Sequence, residues 1–145
     1  MRQNSSVKDA ANIMRDNSVG DIFIIDESDK PVGILTDRDI VLRLLCIDVS
    51  PNDVLASEIM SSDILTISKS AGVNETITLM RDKHVRRAPI VDSNGCLDGA
   101  ISIDDILAFL VKGLGDLVTL IKTEESYEQE KMARFLDKTL PVSKS

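Results

Sequence analysis

Apolar positions along the chain follow two periods that alternate. Val7, Ala10, Ala11 and Met14 lie at helical spacing, as do Val73, Ile77 and Met80, and each set predicts a short amphipathic helix. Apolar runs follow, "DIFIID" (21–26) and "RAPIVD" (87–92), each ending in an Asp and leading into a turn composition, "ESDKP" or "SNGCL". "VGIL" (32–35) and "GAIS" (99–102) return as second strands, and second helices are predicted at "TDRDIVLRLL" (36–45) and "IDDILAFLVK" (103–112).

The order helix, strand, turn, strand, helix therefore occurs twice. Sliding the sequence by 66 residues lays "VKDAANIMRDNSVGDIFIIDESDKPVGILTDRDI" (7–40) over "VNETITLMRDKHVRRAPIVDSNGCLDGAISIDDI" (73–106) without a gap. Met14, Arg15 and Asp16 fall on Met80, Arg81 and Asp82; Asp26 falls on Asp92, Gly33 on Gly99, and Asp39 on Asp105. Two unrelated amphipathic helices would share periodicity but not turn residues and strands as well, so the pattern reads as a duplicated unit. A sheet of two or three strands with two helices leaves an apolar face open. The units are expected to pack on each other about a pseudo-twofold axis in an α/β (α+β) fold.

"DILTIS" (63–68) predicts a further strand leading into the second copy, whereas only "MRQNSS" stands at that place in the first. The first lead-in is therefore absent, short or supplied by something else. The segment between the copies, "CIDVSPNDVLASEIMSSD", holds a Pro-Asn turn and a helical piece around Ser57 to Met60, a connector rather than a long linker. The expected division is a first repeat at 1–48, connector and second repeat at 49–112, and a C-terminal tail at 113–145. Leu114, Leu117, Val118 and Ile121, and later Met132, Phe135 and Leu136, keep helical spacing there. A C-terminal helix docking on the pair or on a second subunit is expected, with "PVSKS" fraying.

Charge and composition narrow the function. A net charge of −7 and a pI near 4.7 argue against a nucleic-acid-binding surface, which needs a basic stripe. No apolar run is long enough to span a bilayer and the N-terminus does not read as a secretory signal, so the cytoplasm is the default location. Cys46 and Cys96 have no C-x-x-C or Cys/His context and read as reduced thiols. His84 is the only histidine and has no nucleophile or metal-ligand pattern around it. With no recognisable acid/base pair, an enzyme and a metal site are not expected.

Two features carry candidate chemistry. Thr36-x-x-Asp39 and its copy Ser102-x-x-Asp105 fit a helix capping box. They also stand where a strand ends and a helix begins, a place whose free N–H groups suit a phosphate and whose Asp can accept from vicinal ribose hydroxyls. Cap and ligand site both remain open. The second feature, "KHVRRAPIVD" (83–92), gathers Lys83, Arg86 and Arg87 in an acidic chain, either as solvated charge or as a guanidinium fork for phosphate oxygens. The first copy has Asn17, Gly20 and Asp21 at those places, so the copies are not equivalent.

The segments "VGDIFIIDESDKPVGILTDRDI" and "HVRRAPIVDSNGCLDGAISIDDIL", with "DILTISKSAGV" as lead-in, resemble a tandem pair of cystathionine-β-synthase (CBS) domains, a Bateman module, over about residues 5–112. The resemblance implies two βαββα units and two clefts that bind adenosine-type ligands: AMP, ADP, ATP or S-adenosylmethionine. It places the ribose on Asp39 and Asp105 with Thr36 and Ser102 beside them, and phosphate on Arg87, with Arg86 adjacent and Arg38 a weaker choice. Adenine-side contacts would come from Thr66 and Val85 in one cleft and from Val19, Gly20 and Ala10 in the other. Such modules are sensors rather than catalysts, need no cofactor, and often form disc-like homodimers. The expectation is a stand-alone sensor acting on an unidentified regulated protein, and the alternative is a ligand-free scaffold or dimerisation module whose T/S-x-x-D motifs are only caps.

Overall fold

Ser6 opens the first helix: its hydroxyl accepts the Asp9 N–H at 3.1 Å while the Asp9 carboxylate accepts the Ser6 N–H at 3.3 Å, a reciprocal cap. The computed structural model describes residues 1–46 and 48–139; the fraying expected of "PVSKS" falls outside them. α1 (Val7–Asn17) ends at Ser18 in a left-handed conformation. β1 (Asp21–Ile25) then pairs antiparallel with β2 (Pro31–Thr36), and α2 (Asp37–Asp39) continues into a π-helical turn over Ile40–Leu44. The connector carries α3 (Ala56–Ile59). β3 (Ile67–Ser68), α4 (Val73–Asp82), β4 (Arg87–Val91), β5 (Leu97–Ser102) and α5 (Ile103–Thr139) complete the order.

The duplication holds to the level of single residues. β1 and β4, and β2 and β5, begin and end 66 residues apart, and both ladders slip at the same place, Ile24/Ile25 and Ile90/Val91. Ser18 and His84, also 66 apart, have φ of 54° and 55°; Asp29 and Gly95 have 62° and 80°. These left-handed residues close the helix and the hairpin in each copy.

The second lead-in is shorter than expected, and the first is the short one of the alternatives. Ladder pairing in "DILTIS" is confined to Ile67 and Ser68, which run parallel to Ile90 and Val91; Asp63 to Thr66 are outside the sheet. In the first copy the lead-in shrinks to one parallel bridge, Arg2 with Ile25, the counterpart of Ser68 with Val91.

Val7, Ala10 and Met14 of α1 meet Ile24 and Leu35 in the first core, joined by Leu44 and by Val54, Ala56 and Ile59 of the connector. Burying a side chain such as Ile24 or Leu35 is worth about 1.5–3 kcal/mol. Ser61 and Ile34 exchange two backbone hydrogen bonds of 2.9 Å. That pins the connector across β2 and lays Met60 on Gly33, where a Cβ would overlap the Met60 sulfur; nothing lies within 4 Å of a Cβ on Gly99.

The chain divides into two compact units, Met1–Ile103 and Asp104–Ser145. The first holds both repeats up to Ile103, joined at their hairpins, where the Leu97 N–H donates to Asp29 O at 2.8 Å and Cys96 Sγ to Ser28 O at 3.3 Å. The second is helical. The two helices expected at 103–112 and beyond 113 are one element, because α5 runs unbroken from Ile103 to Thr139: Leu110, Leu114 and Leu117 continue the helical spacing and no proline intervenes.

The hairpin turns are tied by their aspartates. Asp26 Oδ1 accepts from the Ser28 and Lys30 N–H groups, and Asp92 Oδ1 from those of Asn94 and Cys96, all between 2.8 and 2.9 Å. The Cys96 N–H, foremost, holds the Asp92 carboxyl below the usual aspartate value of 3.8. A depressed pKa stabilises the fold above the unfolded value, and that stabilisation is lost as pH falls through the folded one. Asp92→Ala should therefore lower the melting temperature at neutral pH, with the gap to wild type closing on acidification below 3.8; a gap undiminished in acid would refute the assignment. Urea unfolding should separate the paired glycines: Gly33→Ala is expected to destabilise by about 1–3 kcal/mol through overpacking against Met60, and Gly99→Ala to stay within about 0.5 kcal/mol of wild type.

Candidate functional site

Side chains alternate across a strand, so Asp21 and Phe23 share one face of β1, and their counterparts Arg87 and Pro89 share the same face of β4. These four, with Ile34 and Thr36 from the matching face of β2, line a cavity of about 450 Å³ in the first unit. Gly20, Asp37 and Arg38 close it on the side of the first repeat. Asp63, Ile64 and Leu65 of the lead-in, and Val85 and Arg86 before β4, close it on the side of the second.

The wall has an apolar part, from Phe23, Ile34, Ile64, Leu65, Val85 and Pro89, and a charged part of three arginines and three aspartates. Two aspartates are engaged by cations: Asp21 pairs with Arg87, and Asp63 with Lys83 at 3.0 Å. Asp21 and Arg87 occupy the same position in the two repeats, so their ion pair crosses the pseudo-twofold axis. Arg38, exposed at the wall, has no side-chain hydrogen bond or ion pair among the described residues.

The helix start after β2 corrects one expectation. Its N–H groups are not free for a phosphate: Asp37 N–H donates to Gly20 O at 2.9 Å, Arg38 N–H to Asp37 Oδ1 at 2.7 Å, and Asp39 N–H to Thr36 Oγ1 at 3.1 Å. Asp39 Oδ2 in turn accepts from Thr36 N–H at 3.0 Å and Thr36 Oγ1 at 2.7 Å. The capping box is complete, and these three N–H groups already have acceptors.

Of the residues singled out from the sequence, Thr36, Arg38, Val85, Arg86 and Arg87 stand together on the wall, and Gly20 joins them although it was assigned to the other cleft. Asp39 is not a wall residue; its second oxygen, Oδ1, lies 3.5 Å from Arg43 Nε. Thr66 gives way to Ile64 and Leu65, and Val19 to Gly20 and Asp21, since the cavity takes the residues one or two places along. Ala10 is fully buried in the core cluster and has no surface to offer a ligand. Ser102 is buried at the end of β5, and Asp105 lies on α5 in the second unit. Sequence reasoning missed Phe23, Ile34, Asp37 and Pro89; the alternation that puts Asp21 and Arg87 on one face was the available signal for Phe23 and Pro89.

A family model described as "CBS domain" matches residues 2–45 and 56–112. An uncharacterized protein of Methanopyrus kandleri is 43% identical over 94 residues, 65% of this chain and 48% of that protein, so the match spans about half of that relative's length. Hypoxic response protein 1 of Mycobacterium tuberculosis is 33% identical over 101 residues, 70% of each chain. A crystal structure of Hypoxic Response Protein I with two coordinated zinc ions superimposes with a TM-score of 0.68 at 30% identity, covering 74% of this chain and 87% of that one. Among the described residues here, no three His, Cys, Asp or Glu gather as a metal site. CBSX2 in complex with AMP shares the fold, with a TM-score of 0.65, 21% identity, and coverage of 77% of this chain and 86% of that one. The duplicated units, the cleft between them and these matches agree, and the chain belongs to the CBS domain family, with two CBS domains in tandem.

Proposed function

We propose that the cavity binds an adenine nucleotide and that the tandem pair is a regulatory module whose ligand state is read by a partner protein. The observation that carries this reading is the placement of Arg38, without an ion partner, beside Arg86 and Arg87 at the edge of an apolar cavity. A volume near 450 Å³ lies within the usual range for small-ligand sites. Phe23, Ile34, Ile64, Leu65, Val85 and Pro89 offer the surface a purine needs. Thr36 and Asp37 on the wall would receive the ribose hydroxyls. The AMP complex of CBSX2 supports the idea only as far as the shared fold reaches.

Arg87 gives the site a switch. Its guanidinium is held by Asp21 of the other repeat, and both side chains are partly exposed, so the pair is worth at most about 1 kcal/mol. Hydrogen bonds to a charged phosphate are worth about 1.5–3 kcal/mol, enough to draw Arg87 away. Binding would then loosen one contact between the repeats and shift their relative orientation.

The rival, a ligand-free scaffold, is favoured by the closed cap at Thr36 and Asp39. Isothermal titration with AMP, ADP, ATP and S-adenosylmethionine separates the two. The phosphate ligands should bind more tightly than the cationic sulfonium, and Arg38→Ala should weaken ATP about tenfold or more. Absence of heat for all four ligands with folded protein leaves the scaffold. Asp21→Asn releases Arg87 and is expected to tighten ATP binding several-fold with little change in the melting temperature of the free protein. Unchanged or weaker binding would remove the switch.

A further inference from the structure

The charged part of the cavity wall is balanced: Arg38, Arg86 and Arg87 stand against Asp21, Asp37 and Asp63. In a chain whose net charge is −7, such a wall attracts no anion by its overall field, and an anion is held only where it meets a guanidinium directly. Arg87 is paired with Asp21, a contact open to exchange, and Arg38 has no ion partner among the described residues. A phosphate monoester carries about −1.5 to −2 at pH 7, a charge that these two guanidinium groups match.

The aspartates set the opposite limit. Asp37 Oδ1 accepts the Arg38 N–H at 2.7 Å, and its Oδ2 lies over Gly20, 3.2 Å from where a Cβ on that glycine would stand. Asp21 follows Gly20 and is the ladder partner of Thr36, the residue before Asp37, so the two carboxylates are neighbours on the wall. Asp37 makes no ion pair among the described residues, and Asp21 loses its own once Arg87 turns to a phosphate. Asp63, held by Lys83 at 3.0 Å, stays compensated. Every phosphate beyond the first then brings more negative charge toward two uncompensated carboxylates. On the reading that the cavity takes an adenine nucleotide, we propose that it selects the monophosphate over the triphosphate, with Asp37 as the residue that sets the difference. Arg38 and Arg87 attract either nucleotide, and specificity comes from the repulsive group beside them.

Isothermal titration of the full chain with AMP and with ATP, in EDTA so that no divalent cation masks the phosphates, tests this. Wild type should bind AMP about tenfold more tightly than ATP. Asp37→Asn, which keeps an acceptor for the Arg38 N–H, should narrow that ratio about threefold or more by tightening ATP. Any effect of the substitution at the ribose falls on both ligands and cancels in the ratio. With wild type alone the ratio should also shrink as sodium chloride is raised, because salt screens exposed charges; exclusion of the longer ligand by size would respond to neither change. ATP bound as tightly as AMP overturns the selection, and a ratio unmoved by Asp37→Asn or by salt overturns the role of the Asp37 charge. No heat from either nucleotide with folded protein overturns the nucleotide reading itself, on which the selection rests.

Discussion

The two repeats are held to each other at both ends of the same strands. Arg87 reaches Asp21 where β4 and β1 begin, and Leu97 N–H meets Asp29 O beyond the hairpins where they finish. Strands fixed at both ends keep one face of each, Asp21 with Phe23 and Arg87 with Pro89, turned to a common space. The opposite face is then free to pack, as Ile24 does, against α1. Cavity and core are two sides of this one constraint, and neither repeat supplies enough sheet to maintain them alone.

Duplication with divergence makes the two sides of the axis chemically unlike. Gly20 and Asp21 correspond to Arg86 and Arg87, so acid faces base where an exact repeat would set like against like. Arg38 corresponds to Asp104, and Thr36-Asp37 to Ser102-Ile103. The cationic equipment thus collects around the helix start of the first repeat and the strand start of the second. The backbone differs less than the side chains: the paired strands, their slips and their left-handed residues recur at 66 residues.

The fold was legible because helix stripe, turn residues and strands all repeat at a single offset, and turn chemistry is local. What the sequence conceals depends on the partner that each segment finds. "DILTIS" has strand composition, but only Ile67 and Ser68 meet a neighbour. The helix start at Thr36 suggests free donors, yet Gly20 O and the Asp37 carboxylate, the first of them distant in sequence, take up two of its N–H groups. Ala10 matches the cleft position of a family pattern and is core here, because α1 lays that stripe on Ile24 and Leu35. Phe23 escaped notice since it stands among Ile22, Ile24 and Ile25, where every residue is apolar and period two has no contrast. The meeting of Asp21 with Arg87 was readable in principle: opposite charges at one repeat position, 66 residues apart, are what a pair on the axis requires.

On the proposed reading, that pair also decides how the site would signal. The cation that a phosphate would use is the one that closes the repeats at the start of their strands, so ligand binding and repeat docking draw on the same guanidinium. Linkage makes the coupling reciprocal: whatever weakens Asp21–Arg87 favours the ligand, and the ligand weakens the pair by the same factor. The hairpin end has no such competitor, since Leu97 N–H and Asp29 O are backbone groups away from the cavity wall. On that reading the repeats would yield at one end while held at the other, and a hinge of that kind would turn loss of one weak contact into a change of angle rather than separation.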